Sequence, residues 1–222
     1  MTALNDDMST IVKNNAYQSS EYKLNKIEAD CIITAAGLSS RMGQWKMMLP
    51  YRQDTILDAS IKNALSICKR VILVTGFRSD ELKMRYEDNS DVYIVCNENY
   101  SSGLFSSLQC AVKNIITEHF FIAHGDMPCL TPAIFESLWL NRGTYSLFPD
   151  YDGAMGHPVL APATLIPDVI QADKSSNMRK LLMSKGYRCL TVGSSAIHRD
   201  IDTPEAYQRL LDDEQNERDK NQ

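Results

Sequence analysis

Four short, almost wholly apolar runs punctuate the chain: CIIT, VILVT, VYIVC and HFFIAH, near residues 31–34, 71–75, 92–96 and 119–123. Each is rich in β-branched or aromatic residues and too short for a helix, the pattern of a strand buried on both faces. Between the first two, Leu57, Ile61, Ala64, Leu65 and Cys68 recur at helical spacing, and before the fourth Leu104, Leu108, Val112 and Ile115 do the same. Strand and amphipathic helix in alternation predict an α/β, doubly wound, mostly parallel sheet with helices on both faces. In such a sheet the ligand crevice lies at the carboxyl ends of the strands. Further on, YSLFPD, GHPVLAPA and YRCLTVG give more irregular strand signals, read as an extension of the same sheet on the substrate side. The expected organisation is a polar N-terminal extension (1–29), one domain (30–212) and a polar C-terminal tail (213–222).

Composition narrows the class. With 44% apolar and 23% charged residues among 222, the chain has an ordinary globular make-up. The net charge of −5 argues against nucleic acid as a partner but leaves room for a local basic pocket. Cys31, Cys68, Cys96, Cys110, Cys129 and Cys189 form no CxxC pair, and most fall in apolar segments, so buried thiols of a reducing compartment are expected rather than a zinc site. The N-terminal stretch has neither the basic and apolar regions of a secretion signal nor a span long enough for a membrane, so the expected location is the cytoplasm.

The chemistry concentrates after the strands. In ITAAGLSSRMGQWKMMLP, Gly37 follows the first strand, where backbone N–H groups can surround an anion. Ser39 and Ser40 add hydroxyl donors, Arg41 a planar fork and Lys46 a point charge, a set that suits a triphosphate. The spacing is neither GxGxxG nor a P-loop, and a surface turn with solvated cations would use the same residues. HGDMP sets Asp126 at the end of the fourth strand, facing the same crevice; a carboxylate there calls for a cation, and Mg2+ takes one or two carboxylates plus substrate phosphates. Asp126 could instead cap the following helix, although Thr131 before Pro132 fills that place. His124 reads as a hydrogen-bonded structural residue or as a substrate contact. In DIDTPEAY, alternation puts Asp200 and Asp202 on one side, while Asp202 with Glu205 also fits a capping box. In NENYSSGLFSSL, Gly103 permits close backbone approach, and Ser106 and Ser107 open a helix that they could equally cap.

The blocks AAGLSSRMGQWKMMLP, NENYSSGLFSSLQCAV, HGDMPCLTP, GHPVL and DIDTPEAY, in this order, resemble those of the MobA-like nucleotidyltransferases, most closely the molybdenum cofactor cytidylyltransferases. The resemblance covers roughly residues 30 to 210. It implies a Rossmann-like nucleotidyltransferase fold that moves CMP from CTP to molybdenum-loaded molybdopterin, with Mg2+ on Asp126. It further implies Gly37, Ser39, Ser40 and Arg41 on the β and γ phosphates and Lys46 on the α-phosphate. Asp200, and after it Asp202, would be second metal or positioning residues. Ser107 rather than Ser106 would lie beside the base, and Gly156 and His157 on the acceptor side, His157 against a phosphate or the pterin ring. Ala35 and Ala36 match the A-A-G of the cytidylyl branch, where the guanylyl branch shows A-G-G. The family's Gly-Asp-x-Gly-Ala-Arg segment is replaced here by DKSSNMRKLL, which keeps only Arg179 and which an amphipathic helix of Met178, Leu181 and Leu182 also explains. Molybdenum hydroxylases or their chaperones are the implied further partners. The alternatives left open are a guanylyltransferase of the same cofactor, a cytidylyltransferase for a sugar or polyol phosphate, and a non-catalytic cofactor carrier.

Overall fold

The computed structural model describes residues 26–173 and 175–220. Most of the expected N-terminal extension, residues 1–25, lies outside the described residues, and β1 (Ile27–Thr34) already begins within the rest of it. A two-stranded hairpin, β2 (Pro50–Tyr51) and β3 (Asp54–Thr55), leads into α1 (Ile56–Leu65) and β4 (Cys68–Thr75). Then come α2 (Ser79–Tyr86), β5 (Val92–Cys96), α3 (Leu104–Ala111), β6 (His119–His124) and α4 (Pro132–Leu140). The last part holds β7 (Ser146–Tyr151), β8 (Ala154–Met155), β9 (Val159–Pro162), α5 (Ile166–Gln171), α6 (Met178–Ser184), β10 (Tyr187–Thr191) and α7 (Pro204–Lys220). The helix α7 carries on through Lys220, into the stretch read from sequence as a tail.

The main sheet runs β10-β7-β9-β6-β1-β4-β5, with β8 paired to β7. β1 pairs in parallel with β4 on one side and β6 on the other, and β4 in parallel with β5. β9 is antiparallel to both β6 and β7, a turn-back that the irregular signal of GHPVLAPA left undefined. Successive residues of the central strands go to opposite cores. Cys31, Ile33, Val71, Leu73 and Phe121 join Leu57, Leu82 and Phe135 of α1, α2 and α4. Ile32, Ile72, Phe120 and Ile122 join Leu108, Val169 and Leu182 of α3, α5 and α6. Both faces are therefore covered, which is why these strands read as continuous apolar runs. Each fully buried Phe or Ile contributes on the order of 1.5–3 kcal/mol.

Two buried polar anchors tie neighbouring elements together, one between helices and one between strands. Asp58 forms a capping box with Thr55 at the start of α1 and also accepts from Tyr86 (2.8 Å) and Arg85 of α2. Burial opposes the Asp58 charge, but the bonds from Arg85, Thr55 and Tyr86 outweigh it and hold the carboxyl below its usual range. Asp30, 1% exposed, takes a two-point contact from Arg70 (3.0 and 3.1 Å) and the Ile116 N–H (2.9 Å).

Two expectations need correcting. Cys68 opens β4 instead of closing α1, because the helix stops at Leu65 and the chain turns directly into the strand. Of the six free thiols, Cys31 and Cys68 are buried, whereas Cys96 and Cys189 are exposed, since both sit on edge strands of the sheet. Among the described residues no helix is long and apolar enough to cross a membrane.

Candidate active site

β1 and β6 are neighbours at the centre of the sheet, and the chain leaves them toward opposite edges, from β1 to β4 and from β6 to β7, so a crevice opens where both end. The register places Thr34 beside His124 at that edge. A cavity of about 530 Å³ lies there, a size suited to a small-molecule ligand. The Gly37 loop, the start of α3, the turn after β6 and the residues before α7 all reach it.

Three linked charges, Lys46, Asp126 and Asp202, form the cavity's base, with Arg41 paired to them from outside it. Lys46, with its side chain 9% exposed, bonds through Nζ to Asp126 Oδ2 and to Asp202 Oδ1, and Asp202 Oδ2 pairs with Arg41. Burial alone would lower the Lys46 pKa, but the two carboxylates outweigh it and hold the ammonium above the ordinary lysine value. Burial likewise opposes the Asp202 charge, yet the bond from Lys46 keeps its carboxyl below the usual range. The second oxygen of Asp126, Oδ1, is buried with no hydrogen-bond partner.

The two aspartates before α7 divide differently from the sequence order. Asp202 meets Lys46 and Arg41, while Asp200 lines the cavity with its carboxyl pushed up by burial and by the charges of Asp202 and Asp126. The capping place that Asp202 could have taken belongs to Thr203, whose hydroxyl accepts the Ala206 N–H (3.2 Å). Thr131 does occupy the position before α4, though its side chain makes no cap bond.

In the first loop, Gly37 and Ala36 line the cavity, whereas Ala35 is fully buried in the core and Ser39, Ser40 and Arg41 stand outside the lining. The Ser39 hydroxyl accepts the Lys46 N–H (3.2 Å), closing the loop on itself. A Cβ added to Gly37 would meet nothing within 4 Å, so packing within the protein does not require the glycine there. Gly103, by contrast, holds φ +97°, a conformation that L side chains rarely adopt. Gly156 is glycine because a Cβ would stand 2.3 Å from the Ile197 carbonyl; close backbone packing, not ligand approach, fills that space.

The two serines of α3 are sorted by Asn97, a 1% exposed residue that sequence reading passed over. Its Nδ2 donates to Ser106 Oγ (2.9 Å) and to Ser107 Oγ (3.0 Å). Ser106 spends its own proton on the Gly103 carbonyl (2.8 Å), while Ser107 lines the cavity and keeps its O–H available. Neither caps α3.

The sequence also gave no sign that His124 and His157 meet. Their Nε2 atoms are 3.1 Å apart, His124 Nδ1 lies 2.8 Å from Thr34 Oγ1, and His157 Nδ1 lies 3.3 Å from the Ile122 carbonyl. That carbonyl can only accept, so His157 Nδ1 carries a proton, His157 Nε2 accepts from His124, and His124 Nδ1 accepts from Thr34. The chain of bonds is complete with both rings neutral. Burial, with the Lys46 charge, pushes His124 down to about 4, and burial with His124 pushes His157 down to about 3. His157 therefore offers no cation to a phosphate; its ring face is what remains. Tyr100, His198 and Arg179 complete the rim, and the guanidinium of Arg179 donates to the Met155 carbonyl (2.9 Å).

Comparison with known proteins identifies the family. The MobA-like NTP transferase domain family matches residues 31–189. The molybdenum cofactor cytidylyltransferase of Escherichia coli (strain K12) is 48% identical over 178 residues, covering 80% of this chain and 93% of that protein. A probable molybdenum cofactor guanylyltransferase of Methanosarcina mazei is 24% identical over 168 residues, covering 72% of this chain and 74% of that protein. Among solved structures, Rv0371c of Mycobacterium tuberculosis H37Rv superimposes with a TM-score of 0.72 at 25% identity, covering 84% of this chain and 99% of that one.

Proposed function

Because the chain belongs to the MobA-like NTP transferase family, we propose that it moves CMP from CTP to molybdenum-loaded molybdopterin, giving the cytosine dinucleotide form of the cofactor and pyrophosphate. The observation that carries this reading is the Lys46 ammonium held between Asp126 and Asp202 at the edge where β1 and β6 end. Ala36 on the wall of the same cavity, and the close sequence relation to a cytidylyltransferase of this cofactor, favour cytosine over guanine.

A phosphate oxygen of the acceptor attacks the α-phosphorus of CTP in line, a new P–O bond forms, and the bond to the β-phosphate oxygen breaks as pyrophosphate leaves. Such a reaction needs alignment and neutralisation of charge more than it needs a covalent partner. Lys46 supplies a fixed ammonium for the α-phosphate oxygens. Arg41, freed from Asp202 when phosphate arrives, and the backbone at Gly37 with Ser39 and Ser40, take the β and γ phosphates. Ser107 donates its hydroxyl to the base.

Mg2+ fits the donors present. The unpartnered Oδ1 of Asp126 is a buried carboxylate oxygen with a free lone pair, and Asp202 and Asp200 line the same cavity. Among the described residues no group of three or more His, Cys, Asp or Glu could hold a metal ion, so most of the ion's ligands would have to be water and phosphate. When bound, the ion would neutralise phosphate charge and hold donor and acceptor together. In the same proposal, molybdenum hydroxylases or their chaperones receive the product in the cytoplasm.

The test is pyrophosphate release with Mg2+, CTP and the loaded acceptor, each omitted in turn. Release is expected only with all three present. Release from CTP without acceptor would make the protein a hydrolase and end this reading.

A further inference from the structure

Between Ala36 and Trp45, both buried, the loop after β1 stands out from the protein as an arch: of residues 37–44 all but Ser39 and Met42 are exposed. Both feet of the arch rest on one turn, Gly76 to Arg78, which joins β4 to α2. At the near foot the Phe77 N–H donates to the Ala36 carbonyl (3.2 Å). At the far foot the Phe77 ring meets the Trp45 indole edge-on, with ring centroids 6.3 Å apart, and the Arg78 guanidinium lies over the indole, 4.5 Å from its centroid. Gly76 brings the turn directly against the arch, since a Cβ there would stand 2.9 Å from the Ala36 Cβ and 2.6 Å from the Tyr100 Cβ. Thr75 Oγ1 and Ser79 Oγ, 2.7 Å apart, brace the turn from behind.

The side chain at the far foot has no hydrogen bond to orient it. Trp45 is 8% exposed, and its Nε1 is buried without a partner among the described residues. Such an indole owes its orientation to packing and to the cation over its face. Lys46 is the next residue, so the seat of Trp45 sets where the lysine leaves the backbone. Trp45, Phe77 and Arg78 are not part of the cavity lining, so they act on a ligand there only through their neighbours. Arg78 is exposed, its charge divided between the indole and Glu81.

We propose that the Phe77–Arg78 turn is a clasp that holds the phosphate arch closed, with Trp45 and Arg78 as positioning residues for Lys46 and for the groups on the arch. The proposal rests on the nucleotide reading above, which gives the arch its phosphates but not what holds its shape. A closed arch receives a triphosphate without first having to be ordered, whereas a loosened one loses that ordering cost from its affinity. The β and γ phosphates are the part of the nucleotide assigned to the arch, so CTP should feel the clasp far more than CMP.

Calorimetric titration in the presence of Mg2+ is the test. Arg78→Ala is expected to weaken CTP binding about fivefold and CMP binding by less than about twofold, with part of the CTP affinity restored in Arg78→Lys. Trp45→Phe keeps an aromatic face for the guanidinium and removes the orphaned N–H; both affinities should stay within about twofold of the wild type. Urea midpoints of the two Arg78 variants should stay near the wild-type value, because the residue is exposed. Unchanged CTP affinity in Arg78→Ala would overturn the proposal, as would CTP and CMP weakened by the same factor, the mark of a general loosening. If the binding pattern is as expected but no nucleotide reaches loaded molybdopterin, the clasp stands and the reaction assigned above fails. If transfer proceeds and Arg78→Ala binds CTP as the wild type does, the reaction stands and the clasp fails.

Discussion

Lys46 and Asp126 hold each other across 80 residues of sequence through one carboxylate oxygen, and the other oxygen of Asp126 has no partner. The arrangement keeps a buried cation in place without using up the acid beside it. Both carboxylates on Lys46 border the cavity, so water can replace the ammonium when it is removed. Lys46→Ala is therefore expected to keep its circular dichroism spectrum and lose at least about 10²-fold in kcat, as when one charge-stabilising donor is deleted from a preorganised site. Near-normal pyrophosphate release would show that Lys46 is not at the reacting phosphate. Asp126→Asn tests the other half: it should lower kcat similarly and weaken the dependence of the rate on Mg2+ concentration.

In the proposed reaction, base selection would fall to one alanine of the pair. Ala35 is fully buried among core residues, while Ala36 lines the cavity. Ala36→Gly is expected to relax the preference for CTP over GTP by about tenfold in kcat/KM, the scale on which one methyl group discriminates substrates in a pocket. Ala35→Gly should change stability more than selectivity. The reverse pattern would move the discriminating contact into the first alanine.

Asn97 donates to Ser107 Oγ and so supports the hydroxyl that the proposed function aims at the base. Loss of one hydrogen bond to a neutral group, about 1 kcal/mol, predicts that Ser107→Ala raises KM for CTP by about fivefold with little change in kcat. Asn97 also holds Ser106 and accepts the Asn99 N–H (3.0 Å), so Asn97→Ala should lower stability by about 1–3 kcal/mol in urea unfolding and raise the same KM. A Ser107→Ala enzyme with normal KM would place the base elsewhere.

Acid should destabilise the fold through the histidine chain. In the native protein His157 is pushed down to about 3, whereas the unfolded chain titrates at about 6.5. Between those values the unfolded state binds the extra proton, so stability rises with pH through the window and is fully present above about 6.5. Urea midpoints are expected to fall from pH 7 to pH 5, and His157→Asn should flatten that fall while leaving the pH 7 spectrum intact. A slope unchanged by the substitution would mean that the ring is protonated in the native state.

The central strands, the helices between them and the crevice at their ends were legible because strands buried on both faces announce themselves as unbroken apolar runs. Lys46 and Asp126 could be singled out as residue types beside strand ends. Their direct bond could not, since nothing local records a contact 80 residues long. The same holds for His124 with His157 and for Asn97 with its two serines. In the sequence Asp200 ranks ahead of Asp202 because Asp202 with Glu205 fits a capping box; Thr203 takes the cap instead, a choice between adjacent residues that only the local backbone settles. Antiparallel β9 was hidden for a different reason: a run of four residues beginning just after Pro158 carries too little pattern to give its direction.

The measurement that bears most directly on the account is a competition. Wild-type protein receives equal concentrations of CTP and GTP with Mg2+ and molybdenum-loaded molybdopterin, and the dinucleotide formed is identified by mass. The account requires the cytosine dinucleotide to dominate, with one pyrophosphate released per molecule made. A product that is mostly the guanine dinucleotide, or consumption of nucleotide with no dinucleotide, would contradict it.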